Sequence, residues 1–169
     1  MAKNPPSAAT IALRIGAGCH FGAGMMAHMM HGGQVAGNGP HSGLHSLNLA
    51  AGMYPGLHEV ARIDTDARVP GIYCADVALT GAKAAKRSSF FPAIMTWVQI
   101  QAAITAAWED SHVYAPQSEV YGQIAAKYGL SWAGLATIGG HRIWVGGTRA
   151  GTMANPLDTA FPAVNNKFL

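Results

Sequence analysis

The chain has 169 residues, half of them hydrophobic and only 11% charged, with 21 glycines. That balance excludes a disordered chain and suits a single domain large enough to bury a core. A net charge of +3 is a mild pull toward polyanions, too weak by itself to mark a nucleic-acid-binding protein.

Cys19 and Cys74, the two cysteines, lack C-x-x-C spacing, which excludes a zinc ribbon or a thioredoxin-type site. One disulfide or two separate thiols both fit.

Residues 1–10 read as a flexible lead, with Pro5-Pro6 where the apolar core of a signal peptide would begin. The apolar stretch over 11–30 is broken by Arg14, His20, His28 and several glycines, so it makes a poor membrane span. Residues 8–30 are better read as one or two short small-residue helices. Two segments are therefore expected: a lead and helix over 1–25, and one domain over 26–169. Residues 32–43 are rich in turn formers and read as a loop, and 44–51 as a short helix ended by Gly52 and Pro55.

Residues 71–79 have the β-branched and aromatic content of a strand, imperfectly alternating Ile72, Cys74 and Ala78 against Tyr73, Asp76 and Thr80, with a turn at Thr80-Gly81. Thr96-x-x-Gln99 is a capping-box pattern that opens a helix to about Asp110. Trp97, Ile100, Ile104, Ala107 and Trp108 fall on one face of it and predict the core side. A weaker helix is predicted over 117–128, stopped by Gly129. Short strands follow over 131–138, 141–145 and 157–161. There is no internal repeat. Helices first and a mostly antiparallel sheet afterwards define an α+β domain.

The chemistry-bearing residues are His31 and His45, which bracket the glycine-rich loop, then Lys86, Ser88, Thr159 and Phe161. Two histidines and a lysine are enough to cut RNA without a metal or other cofactor. One imidazole takes the proton of a ribose 2′-hydroxyl and the other returns one to the leaving 5′-oxygen. The lysine stabilises the growing negative charge on phosphorus. Thr159 and Phe161, two apart on a strand, share a face and offer a hydroxyl and a ring to a nucleobase.

In order and context these residues resemble the EndoU-type endoribonucleases, and within them the bacterial toxin branch. The family places its first catalytic histidine in a His-x-x-Gly or His-x-x-x-Gly context and its second in a Gly-Leu-His step. A lysine and then Thr-x-aromatic-Pro follow. Here these are His31-Gly-Gly-Gln34, Gly43-Leu-His45, Lys86 and Thr159-Ala-Phe-Pro162. Gly71-Ile-Tyr-Cys-Ala-Asp-Val77 and Lys86-Arg-Ser-Ser-Phe-Phe-Pro92 also match the toxin branch, and the likeness spans roughly residues 28–163.

The resemblance implies a barnase/EndoU/RelE-like nuclease fold over 26–169. It also implies 2′-hydroxyl transesterification giving a 2′,3′-cyclic phosphate, and a contact from Ser88 to the substrate base. It further implies a toxin module of a larger secreted protein, delivered to a target-cell cytoplasm, acting on RNA (often tRNA) and blocked by a cognate immunity protein. Such modules serve contact-dependent growth inhibition. Two departures stand out. Phe161 lacks the hydroxyl of the tyrosine common in relatives, and Gln34 stands where an acidic residue follows the first histidine.

His41 competes with His45, and Lys83 with Lys86. Lys86 is favoured by the serines that follow it, with Arg87 on the opposite face of an extended segment. His20 and His28 read as packing or surface residues, His112 as a partner of the helix dipole, and His58 and His141 as local surface residues. An alternative from another class is a metal-binding domain or metalloenzyme using His28, His31, His41 and His45.

Overall fold

The computed structural model describes residues 21, 24–34, 41–46, 55–81, 85–114, 123–124, 126–127, 130, 132–149 and 157–164. Within them run α1 (Met25–Met30), β1 (Gly33–Gln34), β2 (His41–Ser42), β3 (Leu57–Thr65), β4 (Tyr73–Leu79), β5 (Lys86–Phe90), α2 (Trp97–Tyr114), β6 (Trp132–Ile138), β7 (His141–Arg149) and β8 (Leu157–Pro162). The fold is α+β, built around two three-stranded antiparallel sheets ordered β3-β4-β5 and β6-β7-β8. A two-residue ladder pairs Gly33 with Ser42 and Gln34 with His41 inside the expected loop.

Helix α2 organises the larger sheet. Its start is the capping box in the sequence: Thr96 N–H donates to Gln99 Oε1 at 2.8 Å and Gln99 N–H to Thr96 Oγ1 at 3.3 Å. Ile100, Ala103, Ile104, Ala107 and Trp108 recur at helical spacing and are buried against Ile143 and Val145 of β7. Gly134 lets β6 lie against the helix, since a Cβ there would meet the Ala107 carbonyl oxygen at 1.9 Å. Asp110 then ties the pair by accepting from Leu135 N–H at 2.7 Å. The sheet is covered on both faces, because Trp144 packs the opposite way, against Ile124, Ala133 and Ala163.

The smaller sheet has its own core of Leu44, Leu57, Tyr73, Ala75, Val77, Leu79 and Phe90. Strand β4 alternates, but in the register Tyr73-Ala75-Val77-Leu79 inward with Cys74, Asp76 and Ala78 half-buried. This differs from the apolar face the sequence predicts. Tyr73 is inward because its ring stacks on Phe90 at 4.8 Å, with the Arg62 guanidinium 3.6 Å from its centroid. Strand β3 has no counterpart among the predicted elements. His58, Glu59, Val60, Ala61, Arg62 and Ile63 are all exposed and two register shifts interrupt its ladder, so it has no period to read.

Of the N-terminal helices expected over 8–30, α1 alone falls among the described residues, and residues 8–20, with Cys19 and His20, lie outside them. The short helix expected from residue 44 is not formed by its described part. Leu44 has φ +64°, and residues 44–46 pass without helix between α1 and the end of β5. His45 N–H donates to Met29 O at 2.6 Å, Phe91 N–H donates to His45 O at 2.8 Å, and Ser46 bridges Phe91 in parallel. Of the helix expected over 117–128, residues 123–124 and 126–127 are described, and they are helical. The described residues include no helix long and apolar enough to cross a membrane.

Candidate active site

Four separate parts of the chain meet at a cleft of about 240 Å³. Its lining includes His28 of α1, Gly43 and His45 of the segment over 43–46, Lys86 and Ser88 of β5, and Thr159 and Phe161 of β8. Their approach depends on local backbone choices. Gly43 has φ +65°, and a Cβ there would sit 1.9 Å from the His28 carbonyl oxygen, so only glycine lets the segment lie this close to α1. The contact places Leu44 N–H 2.8 Å from His28 O and sets the His28 and His45 rings 6.2 Å apart, centroid to centroid.

His45 is only 4% exposed. Its Nδ1 lies 2.9 Å from Ser89 O, and since a carbonyl only accepts, that nitrogen carries a proton, which in the neutral ring leaves the lone pair on Nε2. No acidic residue near His45 in sequence offers itself as an orienter; a main-chain carbonyl fills that role. The Phe161 ring stacks on the imidazole at 4.9 Å and 24°.

Lys86 and Ser88 share a face of β5, at positions i and i+2. Lys86 is half-buried, and burial pushes its ammonium below the usual lysine range. A cation desolvated in this way acts more strongly on a nearby anion than one in water. Arg87 also lines the cleft, and its Nε donates to Asp76 Oδ1 at 3.1 Å. Ser88 is 3% exposed and its hydroxyl has no hydrogen-bond partner among the described residues. A buried hydroxyl without a partner at the wall of a cleft is suited to a bound polar group. Thr159 Oγ1 lies 3.8 Å from Met29 Sδ, which links β8 to α1. None of the described residues lining the cleft is a carboxylate, so its charge is positive wherever it is charged.

Of the residues singled out in the sequence, His45, Lys86, Ser88, Thr159 and Phe161 converge here, and His31 does not. His31 caps the C-terminus of α1, with its N–H on Ala27 O at 2.9 Å. The histidine that α1 gives to the cleft is His28, one turn earlier. Its signal was present in the sequence, because His28 stands four residues before Gly32 and so satisfies the His-x-x-x-Gly form. Its apolar, methionine-rich neighbours made it read as packing.

Two other described histidines stand elsewhere. His58 is exposed with Nδ1 3.2 Å from Gly56 O, and His141 is exposed at the start of β7. Lys83 and the side chains of Gln34, His41 and His112 lie outside the described residues. Among the described residues no three His, Cys, Asp or Glu side chains gather as a metal-binding set. Cys74 is a half-buried thiol. A larger groove of about 720 Å³ between α2 and β6 is mostly apolar, with Gln99 and Thr137 as its polar side chains, and holds no titratable group.

Compared with known proteins, the chain matches no family model, no curated protein and no solved structure.

Proposed function

We propose that the cleft is the active site of a metal-independent, EndoU-like endoribonuclease. The observation that carries this reading is the meeting of His28, His45 and Lys86 in one small cleft with the buried hydroxyl of Ser88, which has no partner among the described residues. His45, with its lone pair on Nε2, takes the proton of the ribose 2′-hydroxyl as general base. The 2′-oxygen then attacks phosphorus. The 5′-oxygen leaves with a proton from His28 as general acid, giving a 2′,3′-cyclic phosphate and a 5′-hydroxyl. A centroid separation of 6.2 Å suits two imidazoles on opposite sides of one phosphate. The Lys86 ammonium stabilises the extra negative charge on the phosphorane oxygens. Ser88 and Thr159 offer hydroxyls to the base 5′ to the cut.

In line with the resemblance, the wider reading is an RNA-cleaving toxin module of a larger secreted protein. It would be delivered into a target cell, act on tRNA and be neutralised by an immunity protein. A partner covering a cleft with this charge would present an acidic surface.

The reading is tested by the pH dependence of cleavage. One imidazole must be neutral and the other protonated, so the rate is expected to be bell-shaped around the imidazole range near pH ~6.5. A rate that is flat from acid to alkaline pH, with the chemical step limiting, would contradict it.

A further inference from the structure

An aromatic residue on a nuclease cleft wall invites the reading of a platform for the base, yet the ring of Phe161 already has an occupant. It lies on the His45 imidazole, 4.9 Å between centroids and 24° between planes. Three constraints act on His45. Its backbone N–H is held by Met29 O at 2.6 Å, its Nδ1 by Ser89 O at 2.9 Å, and its ring face by Phe161. The first fixes where the side chain starts and the second fixes one ring nitrogen. The bond at Nδ1 by itself leaves the ring able to tilt about the line through it, and tilting swings Nε2. The flat contact with Phe161 removes that freedom. Stacking and base recognition also separate along the chain, because the polar groups suited to a base edge are Ser88 and Thr159.

We propose that Phe161 is a positioning residue for His45, holding the imidazole plane so that Nε2 meets the ribose hydroxyl, and is not a stacking platform for the base. The kinetic consequence rests on the endoribonuclease reading, whereas the ring contact does not.

The test uses Phe161→Leu, Phe161→Met and Phe161→Tyr in the full chain. Loss of the ring face is expected to lower kcat by roughly ten- to a hundredfold, as small misplacements of reacting groups do. KM and the preference for the base at the cut stay unchanged, and Phe161→Tyr, which keeps the face, stays near wild type. In proton NMR the His45 ring signals, shielded by the stacked phenyl, move downfield in the Leu and Met variants. A raised KM with relaxed base preference and unchanged kcat overturns the proposal, as do unmoved His45 signals.

Should the Leu and Met variants fail to fold, the wild-type protein decides when titrated with a 2′-deoxy oligonucleotide that cannot be cleaved. The nuclear Overhauser contact between the Phe161 and His45 rings is expected to persist, and its replacement by a contact from Phe161 to a base refutes the role. A wild-type protein inert on RNA overturns the endoribonuclease reading and the kinetic role with it, while the ring-proton shifts still report the contact.

Discussion

Gly43→Ala perturbs the point where the segment carrying His45 rests on the helix carrying His28. Gly43 has φ +65°, a left-handed conformation that costs an L-residue about 1–2 kcal/mol. The added methyl would also sit 1.9 Å from the His28 carbonyl oxygen, a backbone atom that cannot rotate away. Moving the segment outward breaks the 2.8 Å bond from Leu44 N–H to His28 O, worth about 1 kcal/mol net. Together these give roughly 2–3 kcal/mol, or a drop in Tm of roughly 4–12 °C for a domain of this size.

The same displacement carries His45 away from His28, so kcat is expected to fall about tenfold or more. Gly140→Ala is the control. Its φ is +79° and nothing lies within 4 Å of the added methyl, so it carries the backbone cost alone and leaves cleavage untouched. A calorimetric melt and a single-turnover RNA assay on both variants decide the matter. If Gly43→Ala melts like Gly140→Ala and cleaves like wild type, the close approach does not build the site.

His28→Ala is expected to abolish cleavage and His31→Ala to retain most of it, measured as initial rates on one RNA; the reverse pattern would move the first histidine back to the helix cap. Lys86→Met removes a cation whose pKa burial holds below its ordinary value of 10.5. Burial therefore opposes the charged form at neutral pH, and that cost fades as pH rises through the lowered pKa toward the ordinary one. The variant should accordingly lose cleavage yet melt no lower than wild type at pH 7, with any stability gain shrinking toward pH 10 (urea titrations across that range check the sign). Ser88→Ala removes a buried hydroxyl that has no hydrogen-bond partner among the described residues. Its melt should be unchanged or slightly higher while base preference at the cut relaxes.

Much of the scaffold was legible because its signals are local. Thr96 and Gln99 announce the start of α2, and apolar residues at helical spacing give its buried face. Strands β6, β7 and β8 are separated by turn residues, and Thr159 and Phe161 do share one face beside the cleft. What escaped depends on contacts distant in sequence. Strand β3 is exposed on both faces and irregular in register, so no periodicity marks it. The segment after Gly43 has the composition of a helix, but it is held by backbone bonds to Met29 and Phe91. His28 carries the His-x-x-x-Gly signal, but its methionine-rich neighbours give it the look of a packing residue, and only the fold brings it beside His45 and Lys86.

Internal transesterification by His28, His45 and Lys86, as proposed, would fix the chemistry of both new RNA ends. The most direct measurement is the end chemistry of a synthetic RNA cut by the purified chain in the presence of a chelator, read by mass spectrometry beside His28→Ala and His45→Ala. The expected products are fragments ending in 2′,3′-cyclic phosphate and beginning with 5′-hydroxyl, with no fragments from either variant. Products beginning with 5′-phosphate, which require attack by water and usually two metals, or cutting that survives loss of both histidines, would contradict the proposal.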